Sequence, residues 1–383
     1  MPGPLAHLTV LDLTDLRGAL AGRLLADLGA DVLKLEPPGG DPGRRQPPLP
    51  TGGDVGLPFL YRNANKRSAI VDLHDPDGAA QFAALCGRAD VLLENYGANR
   101  RQVLDLAPEA VRERFPHLVH VAISDFGLSG PRAHWRAEPL VAFAGSGALF
   151  ASGFPDRPPC WLPGYAAHDC AAAFAVIGAL TALLDRARHG AGQSVEVSVQ
   201  EAAISGLTPW SIPLADYART YSMLPSNPSR NADGNYLVMP VADGYVRILP
   251  AGRRHWRALV EMLGLAEAFA APEWDYALYR MVNGDAIRLL AGAALAGRTR
   301  ADWHAEAMRR GVPLAPILTP DEFADHAQTR ARGYFRQSGI AALGDAPFAM
   351  APFAFSACPL GPPDAAPSPD AAAPRPSTSS GRT

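Results

Sequence analysis

Between His7 and Asp125, short runs rich in Leu and β-branched residues alternate with longer stretches in which apolar residues recur at helical spacing. Such alternation predicts a parallel sheet, because each parallel neighbour needs a crossover and the crossover helix covers a sheet face. The strands fall at Leu8–Leu13, Asp31–Glu36, Ala69–Leu73, Val91–Glu94 and Val119–Ser124, and the helices at Ala19–Leu28, Asp77–Cys86 and Pro108–Phe115. Two of these helices open on Asp75-Pro76 and Ala107-Pro108, where proline suits a first turn. A Gly/Pro-rich stretch from Pro37 to Pro58 interrupts the pattern; a loop of this length in a compact domain is a candidate wall or lid of a site.

Further on, Ala142–Phe150 and Asp169–Arg188 read as helices, Ser194–Ser198 as a strand, and Glu201 opens another helix. A Pro/Asn/Ser-rich break at Pro225–Asn235 precedes two strands, Tyr236–Pro240 and Tyr245–Leu249, around the hairpin signal Ala242-Asp243-Gly244. Helices at Arg254–Leu263, Asp285–Leu295 and Arg300–Arg310 follow. The expected fold class is therefore α/β. A Rossmann-like large domain with a parallel sheet covers residues 1–224 with a return segment at about 330–358, a smaller α+β domain covers 236–319, and the Pro/Ala/Ser-rich tail 359–383 is expected to be disordered.

Composition narrows the function. At 383 residues and 48% hydrophobic content the chain can bury two cores, and its net charge of −3 supplies no overall field for nucleic acid or an anionic membrane. Cys86, Cys160, Cys170 and Cys358 show no CxxC or Cys/His ligand spacing, which fits small core residues of a reducing, cytoplasmic compartment without a metal site. The N-terminus shows no signal-peptide pattern, and the uncharged run Cys170–Leu184 is short for a membrane span and reads as a buried helix.

Asp169 is the lone carboxylate between Asp156 and Asp185, directly before that uncharged run. An acid there is either an N-cap accepting a backbone N–H or a reagent. Asn63-Ala64-Asn65-Lys66-Arg67, with Arg100-Arg101 and Arg132, offers cations for phosphates near the sheet edge where doubly wound folds bind ligands, or else a solvated patch. Asn95-Tyr96 ends a strand on that edge, where a ring could stack on a base or simply pack. The Gly127–Gly130 turn could present N–H groups to a phosphate or thioester oxygen, or be only a turn. His168, adjacent to Asp169, is a pocket-lining residue rather than its base. No GxSxG, Walker A or HExxH motif occurs.

Several ordered stretches, from Val10-Leu11-Asp12-Leu13 and Leu24–Glu36 through Asn65-Lys66-Arg67-Ser68, Asp90–Tyr96, Ser124–Gly127 with Gly130-Pro131, and Gly192–Ser198, continue in Asp243–Val246, Gly311-Val312-Pro313 and Thr329–Phe335. Together they resemble the family III CoA-transferases, the group that contains formyl-CoA and carnitine CoA-transferases and the α-methylacyl-CoA racemases. The resemblance implies a catalytic aspartate at Asp169 and CoA-binding segments at Asn65-Lys66-Arg67 and Asn95-Tyr96, with Arg136 at a commonly basic position. It also implies coenzyme A as acyl-CoA substrate and an interlocked homodimer. The implied reaction moves CoA from an acyl-CoA to a carboxylic acid through an aspartyl-CoA intermediate.

The chain departs from the pattern beside the implied nucleophile. His168 stands where a glycine is usual, and Glu138-Pro139 replaces both the His–Asp start of the racemase branch and the tyrosine common in transferases. Glu138 and His168 are thus candidate accessory groups. Racemase-type proton transfer and a non-catalytic CoA-binding homologue remain alternatives. A glycine-rich loop of the formyl-CoA branch corresponds to Leu249–Arg254, which holds one glycine.

Overall fold

The computed structural model describes residues 3–149, 152–153, 157–207, 237–361 and 366–368. The predicted alternation is realised as a six-stranded sheet of β1 (Thr9–Asp12), β2 (Asp31–Glu36), β3 (Arg67–Ile70), β4 (Val91–Glu94), β5 (Val119–Ser124) and β6 (Ser194–Ser198). Its order is β3-β2-β1-β4-β5-β6 and every neighbouring pair is parallel. The central strands β4 and β5 are buried along their whole length, as helices on both faces of a parallel sheet require.

Helices α1 (Ala19–Asp27), α2 (Leu57–Arg62), α3 (Pro76–Cys86), α4 (Ala98–Val103), α5 (Pro108–Arg114), α6 (Pro139–Gly145), α7 (Ala166–His189) and α8 (Val199–Leu207) follow in chain order. Asp75 caps α3 by accepting from the N–H groups of Asp77 and Gly78, with Pro76 in the first turn. The 24 residues of α7 exceed the uncharged run of 15, so by length and composition alone this helix could cross a membrane. Its buried face, built from Ala171, Ala172, Ala175, Ala179 and Ala182, is packed instead, since α7 lies against α1, β5 and β6. A Cβ at Gly178 would come within 2.7 Å of Val195 on β6, which is how closely helix and sheet approach.

The chain divides into two compact units. One comprises Met1–Ala142, Gly164–Gly206 and Ala327–Thr383, and the other Phe143–Pro163 and Leu207–His326. Residues 143–163, placed by the sequence pattern with the large domain, thus cluster with the second unit. In the first unit a two-stranded ribbon, Phe335–Gln337 with Pro347–Ala349, joins α1 because Arg23 donates to the Ala349 carbonyl and lies over the rings of Tyr61 and Phe348.

The second unit carries the expected hairpin, Leu237–Val241 with Gly244–Ile248, extended by Leu314–Pro316 on its open edge. Its core gathers Trp256, Phe269 and Trp274, with ring centroids 4.7–6.1 Å apart. The break at 225–235 lies outside the described residues, as does most of the 359–383 tail. The described part of that tail is anchored, since Arg44 donates to the Pro367 carbonyl.

Part of the long loop after β2 is tied to the sheet. Within it, Pro42–Arg45 forms a 3-10 turn, and Arg44 forks onto Glu36 at 2.5 and 2.7 Å while lying over the Phe59 ring. Leu57–Arg62 forms α2, a helix that the apolar pattern does not predict.

Candidate active site

In this strand order the chain leaves β1 toward β2 on one side and later crosses to β4 on the other, so the loops after β1 and β4 diverge and leave a crevice at their carboxyl ends. A cleft of about 500 Å³ occupies that point, within the range of small-molecule sites. Residues 13–17 after β1 and 95–97 after β4 form its floor, Asp41–Gly43 and Gln46 one wall, and Arg100, Arg136, Glu138 and Tyr165 its rim.

Asn95 ties the two floor loops together, its side chain accepting from the Asp15 N–H at 3.0 Å and donating to Asp15 Oδ1 at 2.7 Å. Arg17 pairs with Asp15 at 2.6 Å and reaches Glu138 at 3.8 Å. Burial would raise the Asp15 pKa, but the bonds from Arg17 and Asn95 outweigh it and hold the carboxyl at about 2. Arg136 donates to the Asn95 carbonyl at 2.7 Å and lies 3.4 Å from Asp125. Arg100 stacks over the Tyr96 ring at 4.4 Å. Asn95, Tyr96, Arg100, Arg136 and the exposed Glu138 are thus brought to one cleft.

Asn65, Lys66 and Arg67 are not brought there. The Lys66 ammonium is fully buried and donates to Asp12 Oδ2, the Ala19 carbonyl and Asn63 Oδ1 at 2.7–2.8 Å. Burial brings its pKa down to about 8, with Asp12 opposing the shift. Asn65 donates to Asp27 and Arg67 forks onto Asp31. Asn65 and Lys66 directly precede β3 and Arg67 opens it, and their side chains bond to neighbouring β1, α1 and β2 rather than to the crevice. Arg101 is likewise spent on Glu94 inside the fold, and Arg132 lies over Trp135 away from the cleft lining.

Asp169 is not the N-cap of α7, as the sequence suggested it could be. The helix begins at Ala166 with Tyr165 at the cap position, and the Asp169 N–H already donates to the Tyr165 carbonyl at 2.7 Å. Its carboxylate is instead received by Arg62, Nη1 to Oδ1 at 2.7 Å and Nη2 to Oδ2 at 3.0 Å. Arg62 lies over the ring of Tyr165, whose hydroxyl takes a hydrogen bond from Gln46 at the cleft wall. Tyr165 therefore joins the cleft to the Asp169–Arg62 pair.

His168 points elsewhere: 2% exposed, its Nε2 is 3.4 Å from Asp125 Oδ1. Burial would raise the Asp125 carboxyl, but His168, the Ala137 N–H and Arg136 together keep it below the ordinary value. Gly127 and Gly130 take positive φ, as a tight turn requires, but the Gly127 N–H donates to Ser124 Oγ and that of Leu128 to Glu196. Gly127 is consequently not a donor for a ligand. Sequence reasoning missed Arg62; the one signal was Gly56-Leu57-Pro58, a proline placed for a first helical turn just before the basic cluster.

The sheet order and the cation-lined cleft at its switch point define a doubly wound α/β protein. The family is fixed by comparison: the model of CoA-transferase family III matches residues 5–372, and the chain belongs to that family. It is 32% identical over 345 residues to the acetyl-CoA:oxalate CoA-transferase of Acetobacter aceti, covering 88% of this chain and 86% of the relative. It is 35% identical over 332 residues to the "Probable CoA-transferase Rv1866" of Mycobacterium tuberculosis, covering 83% of this chain but only 41% of that longer protein. A CAIB/BAIF family protein from Brucella suis superposes with a TM-score of 0.81 at 28% identity, over 96% of this chain and 97% of the other.

Proposed function

We propose that the protein transfers CoA from an acyl-CoA thioester to a free carboxylic acid, with Asp169 as nucleophile. The observation that carries this reading is the placement of Asp169. Its side chain keeps 36% of its surface exposed, one helical turn from Tyr165, the residue that lines the cleft. The Asp169 carboxylate attacks the thioester carbonyl, the C–S bond breaks, and CoA leaves as thiolate from a mixed anhydride. The thiolate then attacks the aspartyl carbonyl, the anhydride C–O bond breaks, and the acid departs as carboxylate, leaving an aspartyl-CoA thioester. A second acid reverses the sequence.

In this reading Arg100 and Arg136 meet the anionic groups of CoA, and the Tyr96 ring supplies a stacking surface. Each tetrahedral step develops an oxyanion; N–H groups of the first turn of α7 lack intrahelical acceptors and suit that charge, and one such donor is worth about 3 kcal/mol. A cytoplasmic homodimer accompanies the proposal; Ile177 and Leu184, 58% and 66% exposed on α7, would gain from a partner surface. The racemase alternative draws less support, because His168 is turned toward Asp125.

The test is exchange between acetyl-CoA and a panel of carboxylic acids beginning with oxalate, read by mass spectrometry. The wild-type protein should exchange, Asp169→Ala should not while keeping its circular dichroism, and hydroxylamine added with acyl-CoA should leave a hydroxamate on Asp169. Full turnover by the alanine variant, or deuterium entering the α-carbon without any acceptor acid, would overturn the assignment.

A further inference from the structure

We propose that Arg62 is the carboxylate seat of the transfer reaction: it holds Asp169 in the resting enzyme and takes the carboxylate of the free acid whenever Asp169 is joined to CoA as a thioester. This rests on Asp169 being the nucleophile and assigns a positioning residue and an acid-binding site to that chemistry. Arg62 ends α2 and is 5% exposed. Both its terminal nitrogens face the two Asp169 oxygens, the forked geometry in which a guanidinium receives a whole carboxylate. The Tyr165 ring, 4.2 Å from the guanidinium carbon, lies on its face, and Gln46 fixes the tyrosine hydroxyl at 2.8 Å. A guanidinium keeps its charge in proteins, so one buried here calls for an anion both in the resting enzyme and in the aspartyl-CoA state.

The chemistry removes that anion and supplies another at the same place. When an Asp169 oxygen bonds to the acyl carbon and the thiolate leaves, the aspartyl group becomes neutral. When the thiolate takes the aspartyl carbonyl, the bond that breaks joins the aspartyl carbon to the bridging oxygen. The released acid therefore leaves carrying an oxygen that began on Asp169, within 3.0 Å of Arg62. The negative charge reappears on an atom that the guanidinium already faces. By microscopic reversal the acceptor acid starts from the same seat, with its carboxylate aimed at the aspartyl thioester carbonyl. The seat reads the reacting carboxylate alone and imposes no demand on the rest of the acid.

Asp169→Asn supplies a neutral side chain of the same shape, standing in for the neutral aspartyl thioester. Titrated with sodium acetate and followed by thermal melting, Asp169→Asn should be stabilised by acetate. Wild type and the double variant Asp169→Asn/Arg62→Met should not, and acetamide should stabilise none of them. In the otherwise wild-type protein, Arg62→Met should raise KM for the acceptor acid about 30-fold while KM for acyl-CoA stays put.

Should Arg62→Met fail to fold, Arg62→Lys serves: it keeps the charge, loses the fork, and should still weaken the acid alone. Acetate stabilising Asp169→Asn no more than the double variant, or KM for acyl-CoA rising together with that for the acid, overturns the seat. Those results leave the nucleophile standing if Asp169→Asn is inactive. Exchange by Asp169→Asn removes the nucleophile itself and the seat with it.

Discussion

Lys66 holds Asp12 at 2.7 Å in a place that water does not reach, with both side chains at 0% exposure. Asp12 ends β1 directly beneath the residue 13–17 floor of the cleft. Burial alone would raise the Asp12 carboxyl, but the ammonium groups of Lys66 and Lys34 and the hydrogen bonds it accepts hold it below its ordinary value. Lys66 accordingly supports the cleft floor from below. Lys66→Met should destabilise the fold by about 3 kcal/mol, because a buried carboxylate loses its main partner. Lys66→Met/Asp12→Leu should recover most of that loss in urea titrations. A drop in CoA affinity at unchanged stability would return Lys66 to a binding role.

Gly22 on α1 tests the same pair from the opposite side. A Cβ there would sit 2.4 Å from Asp12 Oδ2 and 3.1 Å from Lys66 Cε. Alanine is a better helix former than glycine by up to about 1 kcal/mol, whereas overpacking costs about 1–3 kcal/mol. Gly22→Ala should therefore lower stability on balance, by about 1 kcal/mol. A stabilised variant would mean that the pair can shift aside.

Arg100 and Arg136 carry the cleft's proposed affinity for CoA. Removing either should weaken CoA by about tenfold, near 1.5 kcal/mol for a charge-assisted contact, and flatten the dependence on salt. Calorimetry with CoA at two ionic strengths measures both effects. Arg136→Ala should do more, because Arg136 also holds the Asn95 carbonyl. Equal CoA affinity in both variants and wild type would move the phosphate site elsewhere.

Asp15 gives the cleft a defined acid limit. Its folded pKa of about 2 lies below the ordinary 3.8, so its contribution is fully present above pH 3.8 and is lost as pH falls toward 2. The stability gap between wild type and Asp15→Asn should be constant above about pH 5 and close between about pH 4 and 2. A gap that persists at pH 2 would mean that the Arg17 and Asn95 contacts do not depend on the carboxylate charge.

Along the sequence, β2, β4, β5 and β6 were legible to the residue: β4 and β5, buried on both faces, are written as largely apolar runs closed by a polar residue, whereas the edge strand β6 shows Val195 and Val197 alternating with polar residues. The doubly wound class, the crevice at the strand ends, and the gathering of Asn95 and Tyr96 near it follow from that alternation and from strand direction. The chain-wide family resemblance, together with the lone acid before an uncharged run, singled out Asp169.

Partnership was decided by the tertiary structure. Whether Lys66 faces water or Asp12, and whether Asp169 caps its helix or rests on Arg62, depends on segments 54 and 107 positions apart in the chain. Helix α2, which brings Arg62 to Asp169, is six residues long, too short to display a helical period of its own. Hydrophobic patterning records which face of an element is buried. It does not record which charge another element will place against that face, and at this site the charges set the chemistry.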